Sequence, residues 1–494
     1  NQDSILKNRG DISGQFLFAG FPVIRSNLSN VDVVINNLPW MAHQEGDILI
    51  DSTSVAINNL IISGNKQKLR IDGKISEDPA DIFSLYFDNL DISNADMLIR
   101  NDDLNFDGFL SGNISLNDFY NARTLQSDIN INSLAFNEEK MGDAHLLSRW
   151  DNEKSGLEID GKIIYKGNIG THNPITVKGY IYTGKKLKNN FDLDIGLTNY
   201  KLASLNPFLQ GFASNLKGMA TGNIKLDGSF SEPSFTGSIQ LLRTQMKIDY
   251  LNVTYSFADQ VTIAPDLISA RNITIYDSLG NTGKCDFRLT HQYFSNMLLD
   301  ITVNANNLAG LNTTLKNNEL FYGSAFATGT VKIKGPFSDI KMDINVKSEP
   351  NTNIVIPINL SVDATENEYI RFVNKAGPDI LQKTFEANTS GVNLNMILDV
   401  TKDAGIQIFL PEDIGNIKAN GSGNIQMGID TRGDITMFGD YRMNEGTFLF
   451  TLRNVLNRVF SIEPGSLISF KGSPYDADIN LKAVYKLKAS LKGI

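Results

Sequence analysis

The alternation of apolar and polar residues between Ala477 and Leu491 is the feature that most constrains the fold of this chain. Apolar residues occupy every second position of this segment, and Asp, Asn, Lys and Ser fill the positions between them, with Val484 as the one exception. A period of two places successive side chains on opposite faces of a β-strand. The segment therefore predicts one long strand of roughly 50 Å with a dry face and a wet face.

The same alternation recurs along the chain, which predicts an all-β fold. It is clear at 191–198, 299–305 and 342–347, and turn-forming pairs such as Asn-Asn and Asp-Gly separate the runs. The 40 glycines against 14 prolines also indicate many turns. Helical signals are weak, and the stretch from Leu452 to Phe460 fits two helical turns or a strand equally well.

A long, weak repeat indicates an array of similar β units. The segments GNISLN, GNIKLDG, GTVKIKG and GNIQMGI begin at Gly112, Gly222, Gly329 and Gly423, at intervals of 110, 107 and 94 residues. The second and third copies continue in parallel, with an aromatic residue, a serine, an acid and a new alternating strand. We interpret the pattern as a quasi-one-dimensional β array that is apolar along one face.

An apolar sheet face has to be removed from water, and three architectures can do this. They are a second sheet, closure into a barrel, and a bent sheet whose inner face is a trough. Strands of about 15 residues favour a strongly curved sheet over small sandwiches, since ordinary strands have about five or six residues. A trough of this kind could shield acyl chains, each buried methylene of which contributes about 0.8 kcal/mol.

Composition and motifs argue against several functional classes. The net charge of −10 and the pI near 5.1 argue against nucleic acid as a partner. Cys285 is the single cysteine, which excludes an intramolecular disulfide and a multi-cysteine zinc site. Neither HExxH, GxSxG nor GxGxxG occurs, and acids such as Asp440, Asp476 and Asp478 are best explained as solvated strand residues. We therefore predict no enzyme activity, no metal and no cofactor.

The two ends of the chain suggest an excised fragment. The first residues, NQDSILKNRG, contain neither an initiator Met nor a signal sequence, and the last residues lie within a strand-like alternation. No run of about 18 apolar residues is present, so we expect no membrane-spanning helix in this segment.

The last third of the chain contains three distinctive segments: GDITMFGDYRMNEGTFLFTL from Gly433, FSIEPGSLISFKG from Phe460 and SPYDADINLKAVY from Ser473. These segments resemble the C-terminal domain of the TamB family, particularly its Bacteroidetes branch. Upstream, GTVKIKGPFSDIKMDINVKSEPNTNIVIPINLSVD from Gly329 is similar to the preceding block of the family. The resemblance covers about residues 319–491, which predicts two domains: a repetitive β array over 1–318 and a TamB-like domain over 319–494.

The resemblance implies an AsmA-like periplasmic protein whose elongated, strongly curved β-sheet is folded lengthwise into a hydrophobic groove, a β-taco. It implies phospholipids as cargo, moving between the inner and outer membranes. It also implies an N-terminal inner-membrane helix and a BamA-like barrel, TamA or a relative, as outer-membrane partner. Neither the anchor nor the family's closing segment is present in this chain, so direct barrel binding by it is not expected.

Alternation and repeat position together nominate the residues that would line such a groove. They are the apolar residues of the repeat copies and of the strands near the C-terminal end, namely Ile224, Leu226, Val331, Ile333, Ile344, Ile425, Met427, Phe448, Phe450, Ile479, Leu481, Tyr485 and Leu487. The same residues would fill an ordinary sandwich core, and the aromatic strand around Phe448 is apolar on both faces.

Two other functions compete with lipid conduction. One is an assembly factor or chaperone for outer-membrane proteins, which would offer sheet edges to incoming strands and work with a BamA-like barrel. The other is a cell-surface β adhesin or glycan-active solenoid. Bound phospholipid, crosslinking to nascent barrels and protease accessibility on intact cells distinguish the three.

Overall fold

A computed structural model describes residues 9–18, 23–35, 38–42, 47–95, 104–120, 124–167, 170–183, 188–293, 295–319, 321–336, 338–357, 392–410, 414–430, 434–452 and 456–486. In these ranges the chain is almost entirely β, as predicted. Short 3₁₀ helices cover Ile92–Ala95, Leu202–Leu209 and Pro474–Asp476.

The strands of the first half are β1 Arg9–Phe18, β2 Ile24–Ile35, β3 Leu38–Ala42, β4 Asp47–Ile50, β5 Ser54–Gly64, β6 Gln67–Ser76, β7 Ile82–Asp91, β8 Phe106–Asn117, β9 Thr124–Phe136, β10 Glu139–Asp151, β11 Gly156–Gly167, β12 Gly170–His172, β13 Ile175–Ile181, β14 Phe191–Lys201, β15 Ala213–Gly228 and β16 Pro233–Ile248.

The strands of the second half are β17 Val253–Phe257, β18 Gln260–Ala264, β19 Leu267–Tyr276, β20 Thr282–Gln292, β21 Ser295–Thr313, β22 Tyr322–Pro336, β23 Ile340–Ser348, β24 Asn353–Pro357, β25 Val392–Phe409, β26 Gly415–Ile429, β27 Ile435–Leu452, β28 Leu456–Ile462, β29 Ser466–Gly472, β30 Asp478–Asn480 and β31 Ala483–Val484.

The chain divides into two compact units. Unit 1 comprises Asn1–Gln210, Leu216–Thr244 and Gln260–Asp266, and unit 2 comprises Gly211–Asn215, Gln245–Asp259 and Leu267–Ile494. This division does not test the predicted boundary between a repetitive β array over 1–318 and a TamB-like domain over 319–494, which stays a prediction.

Unit 1 is an antiparallel sheet in which sequence neighbours pair. From β5 to β11 each strand is hydrogen-bonded to the next, and the series continues through β13 and β14 to β15. The short β12 pairs with the far end of β11. Local pairing of this kind follows from short turns between alternating strands.

In unit 2, bulges and turns interrupt the consecutive strands from β22 to β29 at one level. The two halves of β22 pair with different strands, β23 and β24, and the two halves of β27 pair with β29 and β28. β25 runs parallel to β23 and β24 and carries a bulge between Val400 and Ala404. We call this line of bulges and turns the crease; it continues through the bulge at Asn420 and the turn from Glu463 to Ser466.

The crease folds the sheet of unit 2 lengthwise near the C-terminal end. One core contains Ile408 and Ile417 from one side of the crease together with Ile425, Ile468 and Phe470 from the other side. One buried core thus spans the crease on a single face of the sheet, which is consistent with a sheet folded along this line. This part of the structure therefore has the lengthwise fold that the resemblance implies.

The predicted strands are confirmed with one exception. The alternating runs at 191–198, 299–305 and 342–347 lie in β14, β21 and β23, and the ambiguous stretch before Phe460 is strand from Leu456 onward. The prediction of a single long strand from Ala477 is wrong for its described part. The chain leaves β29 after Asn480, donates the Lys482 amide to Ser466 Oγ at 2.9 Å, and then pairs with β28.

Candidate functional site

The apolar face of unit 1 consists of side chains aligned in register across consecutive strands. Directly paired residues project from the same face of a sheet. The Ile224 row consists of Ala42, Ile62, Leu69, Phe87, Gly112, Ile129, Leu146, Gly161, Val177, Ile195 and Ile224. Two residues away on each strand runs the Leu226 row: Leu60, Ile71, Leu85, Ile114, Ser127, Ser148, Ile159, Gly179, Leu193 and Leu226.

Unit 2 carries rows of the same kind. The Cys285 row consists of Ile273, Cys285, Val303, Val331, Ile344, Met396, Met427 and Met437. The Ile333 row, on one side of it, consists of Ala270, Phe287, Ile301, Ile333, Met342, Leu394, Ile429 and Ile435. The Ile425 row, on the other side, consists of Gly283, Ala305, Gly329, Val346, Leu398, Ile425, Gly439 and Phe470.

The opposite face of each sheet is polar and carries cross-strand ion pairs. In unit 2 the ammonium group of Lys334 lies 3.2 Å from a carboxylate oxygen of Asp300. In unit 1 the ammonium group of Lys178 lies 3.6 Å from Asp160. Exposed pairs of this kind contribute at most about 1 kcal/mol each, so their main effect is to keep this face in water. The rows therefore belong to a sheet with one wet side, as the alternation predicts.

Seven of the nominated groove residues lie on these rows. Ile224 and Leu226 lie on the rows of unit 1 that carry their names. Val331, Ile344 and Met427 share the Cys285 row, and Ile333 and Ile425 lie on its two neighbours. Ile333, Ile344 and Met427 also pack against a small core formed by Ile340, Met342, Leu394 and Ile429, together with Phe212 and Phe321. Whether these side chains line a lipid path stays a prediction.

The other nominated residues gather around the C-terminal core. Phe448 and Leu481 pack against that core, and the ring of Phe448 lies 6.0 Å from the ring of Phe450. Ile479 and Tyr485 are 38% and 39% exposed. The Tyr485 ring lies 5.4 Å from Phe460, which extends the aromatic cluster. Leu487 lies outside the described residues.

Tyr441 is buried at the crease and bridges neighbouring strands there. Its side chain is 2% exposed, and its hydroxyl donates to the carbonyl oxygen of Ala419 at 3.1 Å. The ring lies over Gly421, where a Cβ atom would approach Tyr441 Cζ to 2.8 Å. Burial raises the pKa of the Tyr441 hydroxyl, so it remains a neutral donor at every physiological pH.

Cys285, the single cysteine of the sequence, lies on an apolar row and can serve there as a chemical probe. It lies between Ile273 and Val303 and is partly buried. Burial, with a smaller contribution from the charge of Asp286, raises the pKa of the thiol to about 11. A thiol with so high a pKa is a poor nucleophile at neutral pH, which argues for a packing role.

The structure links three of the four repeat glycines to a motif that the sequence analysis missed. Asn89, Asn199 and Asn307 occupy bulges with positive φ, and each backbone N–H donates to the hydroxyl of Ser111, Thr221 or Thr328 on the next strand. The repeat glycines Gly112, Gly222 and Gly329 directly follow these three acceptors.

The same device occurs with other residue pairs. Asn59 donates to Asp72, Ser133 to Asp143 and Asn272 to Asp286. Each bulge residue follows a polar or charged residue and precedes a large apolar one, as in the tripeptides NNL, DNL and TNY. That tripeptide is the signal from which the bulges could have been predicted.

Comparison with protein families identifies the chain. The model of the TamB C-terminal domain matches residues 58–257 and 271–493, most of the chain. The protein belongs to the TamB family. The match begins well before residue 319, where the motif resemblance begins. Comparisons with curated proteins and with solved structures give no match.

Membership assigns this TamB-family chain to a class of transport and assembly proteins, linked to an assembly module with TamA and spanning the periplasm. The family is not known for enzymatic activity. Over the described ranges, no helix has the length and apolar character needed to cross a bilayer. Nor do His, Cys, Asp and Glu side chains in these ranges form a group that could hold a metal ion.

Proposed function

We propose that this chain carries lipid acyl chains along the apolar rows of its sheets, as a segment of a periplasmic path between the inner and outer membranes. The observation that carries the proposal is the register. Apolar side chains follow one another from strand to strand on one face, over β3 to β15 in unit 1 and over β19 to β27 in unit 2. The family's transport role supports the proposal.

The spacing of the strands along each row suits an acyl chain. Neighbouring strands lie about 4.8 Å apart, so a lipid moving across the strands meets a new apolar side chain at intervals far shorter than its own length. A tail of about 16 carbons loses about 12 kcal/mol of hydrophobic stabilisation if it enters water. A row without polar interruptions, such as the Ile224 row, keeps that loss small at each step, whereas the Leu226 row includes Ser127 and Ser148. The mechanism is passive, with the headgroup left in water.

A pair of substitutions on one strand tests the proposal. Ile344 lies on the Cys285 row, whereas Asn345, the next residue of β23, is exposed on the polar face. We expect Ile344→Arg to reduce the phospholipid that co-purifies with the protein by a large factor, because a cation on the row opposes the acyl chain. Asn345→Arg adds the same charge to the same strand and should leave the lipid content unchanged. Mass spectrometry of lipids extracted from the natively purified chain provides the measurement.

Two outcomes contradict lipid conduction. One is a native chain free of phospholipid, and the other is equal lipid loss in both variants. If the lipid-free chain instead crosslinks to nascent outer-membrane strands, the assembly role is supported. The fold of each variant is checked by far-ultraviolet circular dichroism, which follows strand content independently of any lipid on the Cys285 row.

A further inference from the structure

Four aromatic side chains, Phe448, Phe450, Phe460 and Tyr485, form a cluster next to the C-terminal core of unit 2. The ring of Phe448 lies 6.0 Å from the ring of Phe450 and 6.1 Å from that of Phe460, which in turn lies 5.4 Å from the ring of Tyr485. None of the four is fully buried, and Tyr485 is 39% exposed. The aromatic cluster is therefore an apolar surface that solvent can reach.

Arg458 places a cation on this apolar face. Along β28 the side chains of Arg458, Phe460 and Ile462 project from one face, because every second residue of a strand points the same way. That face is the apolar one, since Ile462 belongs to the C-terminal core. The register agrees, because Arg458 pairs with Phe450 and Phe460 pairs with Phe448. Arg458 thus occupies a position that the alternation would give to an apolar residue.

The guanidinium group of Arg458 has aromatic neighbours but no carboxylate partner in the part of the chain that the structure describes. Its Cζ atom lies 5.9 Å from the ring centre of Tyr485, and its Nη1 donates to the carbonyl oxygen of Asn457 at 3.3 Å. The side chain is exposed. Because a guanidinium group carries several N–H donors in a planar fork, most of its donors remain available to an anion.

Two lysines of unit 2 show how a cation on the polar face is neutralised. The ammonium group of Lys334 lies 3.2 Å from Asp300, and that of Lys471 lies 2.5 Å from Asp478. In both cases the carboxylate comes from the neighbouring strand. The strand neighbour of Arg458 presents Phe450 instead. The position of Arg458 therefore suits an anion that arrives together with an apolar group.

We propose that Arg458 binds the phosphate of a phospholipid whose acyl chain packs on the aromatic cluster. The inference rests on the proposed function and names a residue that holds the headgroup near the C-terminal end of the apolar face. Guanidinium and phosphate form parallel, charge-assisted hydrogen bonds, and the aromatic rings offer a large apolar surface to the acyl carbons. An acyl chain that extends from a phosphate on Arg458 meets the rings of Tyr485, Phe460 and Phe448 in that order.

Isothermal titration of the purified chain with two short-chain lipids tests the contact. Dihexanoylphosphatidic acid carries the phosphate, whereas dihexanoylglycerol has the same tails without it, and both are used below their critical micelle concentrations. We expect the native chain to bind the phosphate-bearing lipid about tenfold more tightly, and Arg458→Gln to abolish this preference. Arg458→Lys keeps the charge but loses the planar fork, so it should retain part of the preference.

Two further variants separate the charge from the apolar surface. Arg442→Gln removes an exposed arginine from the polar face of β27 and should leave the binding of both lipids unchanged. Phe450→Ala removes apolar surface and no charge, so it should weaken the binding of both lipids by similar factors.

Three results would overturn the proposed contact. They are equal affinity of the native chain for the two lipids, binding of neither lipid, and equal losses in Arg458→Gln and Arg442→Gln. Unchanged binding of both lipids by Phe450→Ala would also overturn it, because the tails would then lie elsewhere. Acyl-chain transport is judged separately, from the phospholipid that co-purifies with Ile344→Arg and Asn345→Arg, so failure of the Arg458 contact leaves that test intact.

Discussion

The C-terminal core of unit 2 and the apolar rows of unit 1 arise from the same alternation but differ in how far they exclude water. In the core, Ile417 and Ile468 are 1% and 0% exposed. In the Ile224 row most side chains are only half-buried, and Leu146 is 39% exposed. An alternating sequence therefore fixes which residues share a face, while the exposure of that face depends on what it packs against.

The difference follows from the residues at the crease and along the rows. In the core, large side chains from both sides of the crease meet, and Tyr441 fills the fold. The rows of unit 1 contain small residues instead, including Gly112, Gly161, Ser127 and Ser148. Small residues leave room above the sheet that large ones would fill. The closed region is thus suited to holding the fold together, and the half-buried rows are suited to contact with a ligand.

Truncation of one isoleucine in each region should show the largest contrast. We expect Ile468→Ala to lower the free energy of unfolding of unit 2 by about 3–4 kcal/mol, because a fully buried isoleucine leaves a cavity. Ile224→Ala should lower that of unit 1 by only about 1 kcal/mol, because its side chain is already partly in water. Urea titrations measure both values.

The sequence supplies a separate probe for each unit. Trp40 and Trp150 are the two tryptophans and both lie in unit 1, whereas Cys285 lies in unit 2. Tryptophan fluorescence therefore follows unit 1, and thiol exposure follows unit 2. Equal losses from the two substitutions would contradict the distinction between a closed core and half-buried rows.

The second contrast is between the alkylation rates of a thiol on an apolar row and a thiol in the C-terminal core, and we expect it to be smaller than the contrast in stability. With a pKa of about 11 in place of 9.0, Cys285 has about 100-fold less thiolate at pH 8 than an ordinary cysteine. We expect its alkylation rate to be lower by about that factor and to rise tenfold per pH unit up to about pH 11. Stopped-flow measurement with a small neutral alkylating reagent gives the rate.

The comparison thiol is placed in the core by Ile417→Cys in a Cys285→Ser background. Because Ile417 is 1% exposed, this thiol should react only when the core opens, at least tenfold more slowly than Cys285. Similar rates at the two positions would mean that the Cys285 row is as closed as the core.

Alternation predicted the strands at 191–198, 299–305 and 342–347 and the faces that their side chains share. Ile224, Leu226, Val331, Ile333, Ile344, Ile425 and Met427 were nominated from period and repeat position, and each lies on an apolar row. This succeeds because side-chain direction in a strand depends only on parity. The family, too, could be recognised from local motifs, such as the segment from Gly433.

Contacts between distant segments could not be predicted in this way. The apolar alternation continues through Leu481, but the strand is interrupted there. The hydroxyl of Ser466 accepts a hydrogen bond from the backbone N–H of Lys482 and donates one to its carbonyl oxygen. A cleft of unit 1 lined by Lys140, Lys166 and Met219 was also missed, since its residues come from five strands and share no local pattern. The bulges at Asn199 and Asn307 lay within reach of sequence reasoning, because left-handed backbone favours asparagine and a hydroxyl follows on the next strand.

The smallest effect on stability is expected from removing, in each unit, one hydroxyl that accepts the backbone N–H of a bulge residue. Thr328 Oγ1 accepts the Asn307 N–H at 2.9 Å, and Thr221 Oγ1 accepts the Asn199 N–H at 3.0 Å. Replacement by valine keeps the shape but leaves a partly buried N–H without this partner, which costs about 1–2 kcal/mol. Thr328→Val should destabilise unit 2 and Thr221→Val unit 1 by similar amounts.

Equal effects are the informative result, because they would show that the bulges are the same structural device in both units while packing above the sheet differs. Thr328→Ser retains the acceptor and should restore most of the stability, whereas Thr302→Val, on the polar face of β21, should change it by less than about 0.5 kcal/mol. A large effect of Thr328→Val beside a negligible effect of Thr221→Val would contradict this view. The contrast between the two units would then begin in the backbone itself, and half-burial of the unit 1 rows would reflect a looser sheet instead of smaller side chains.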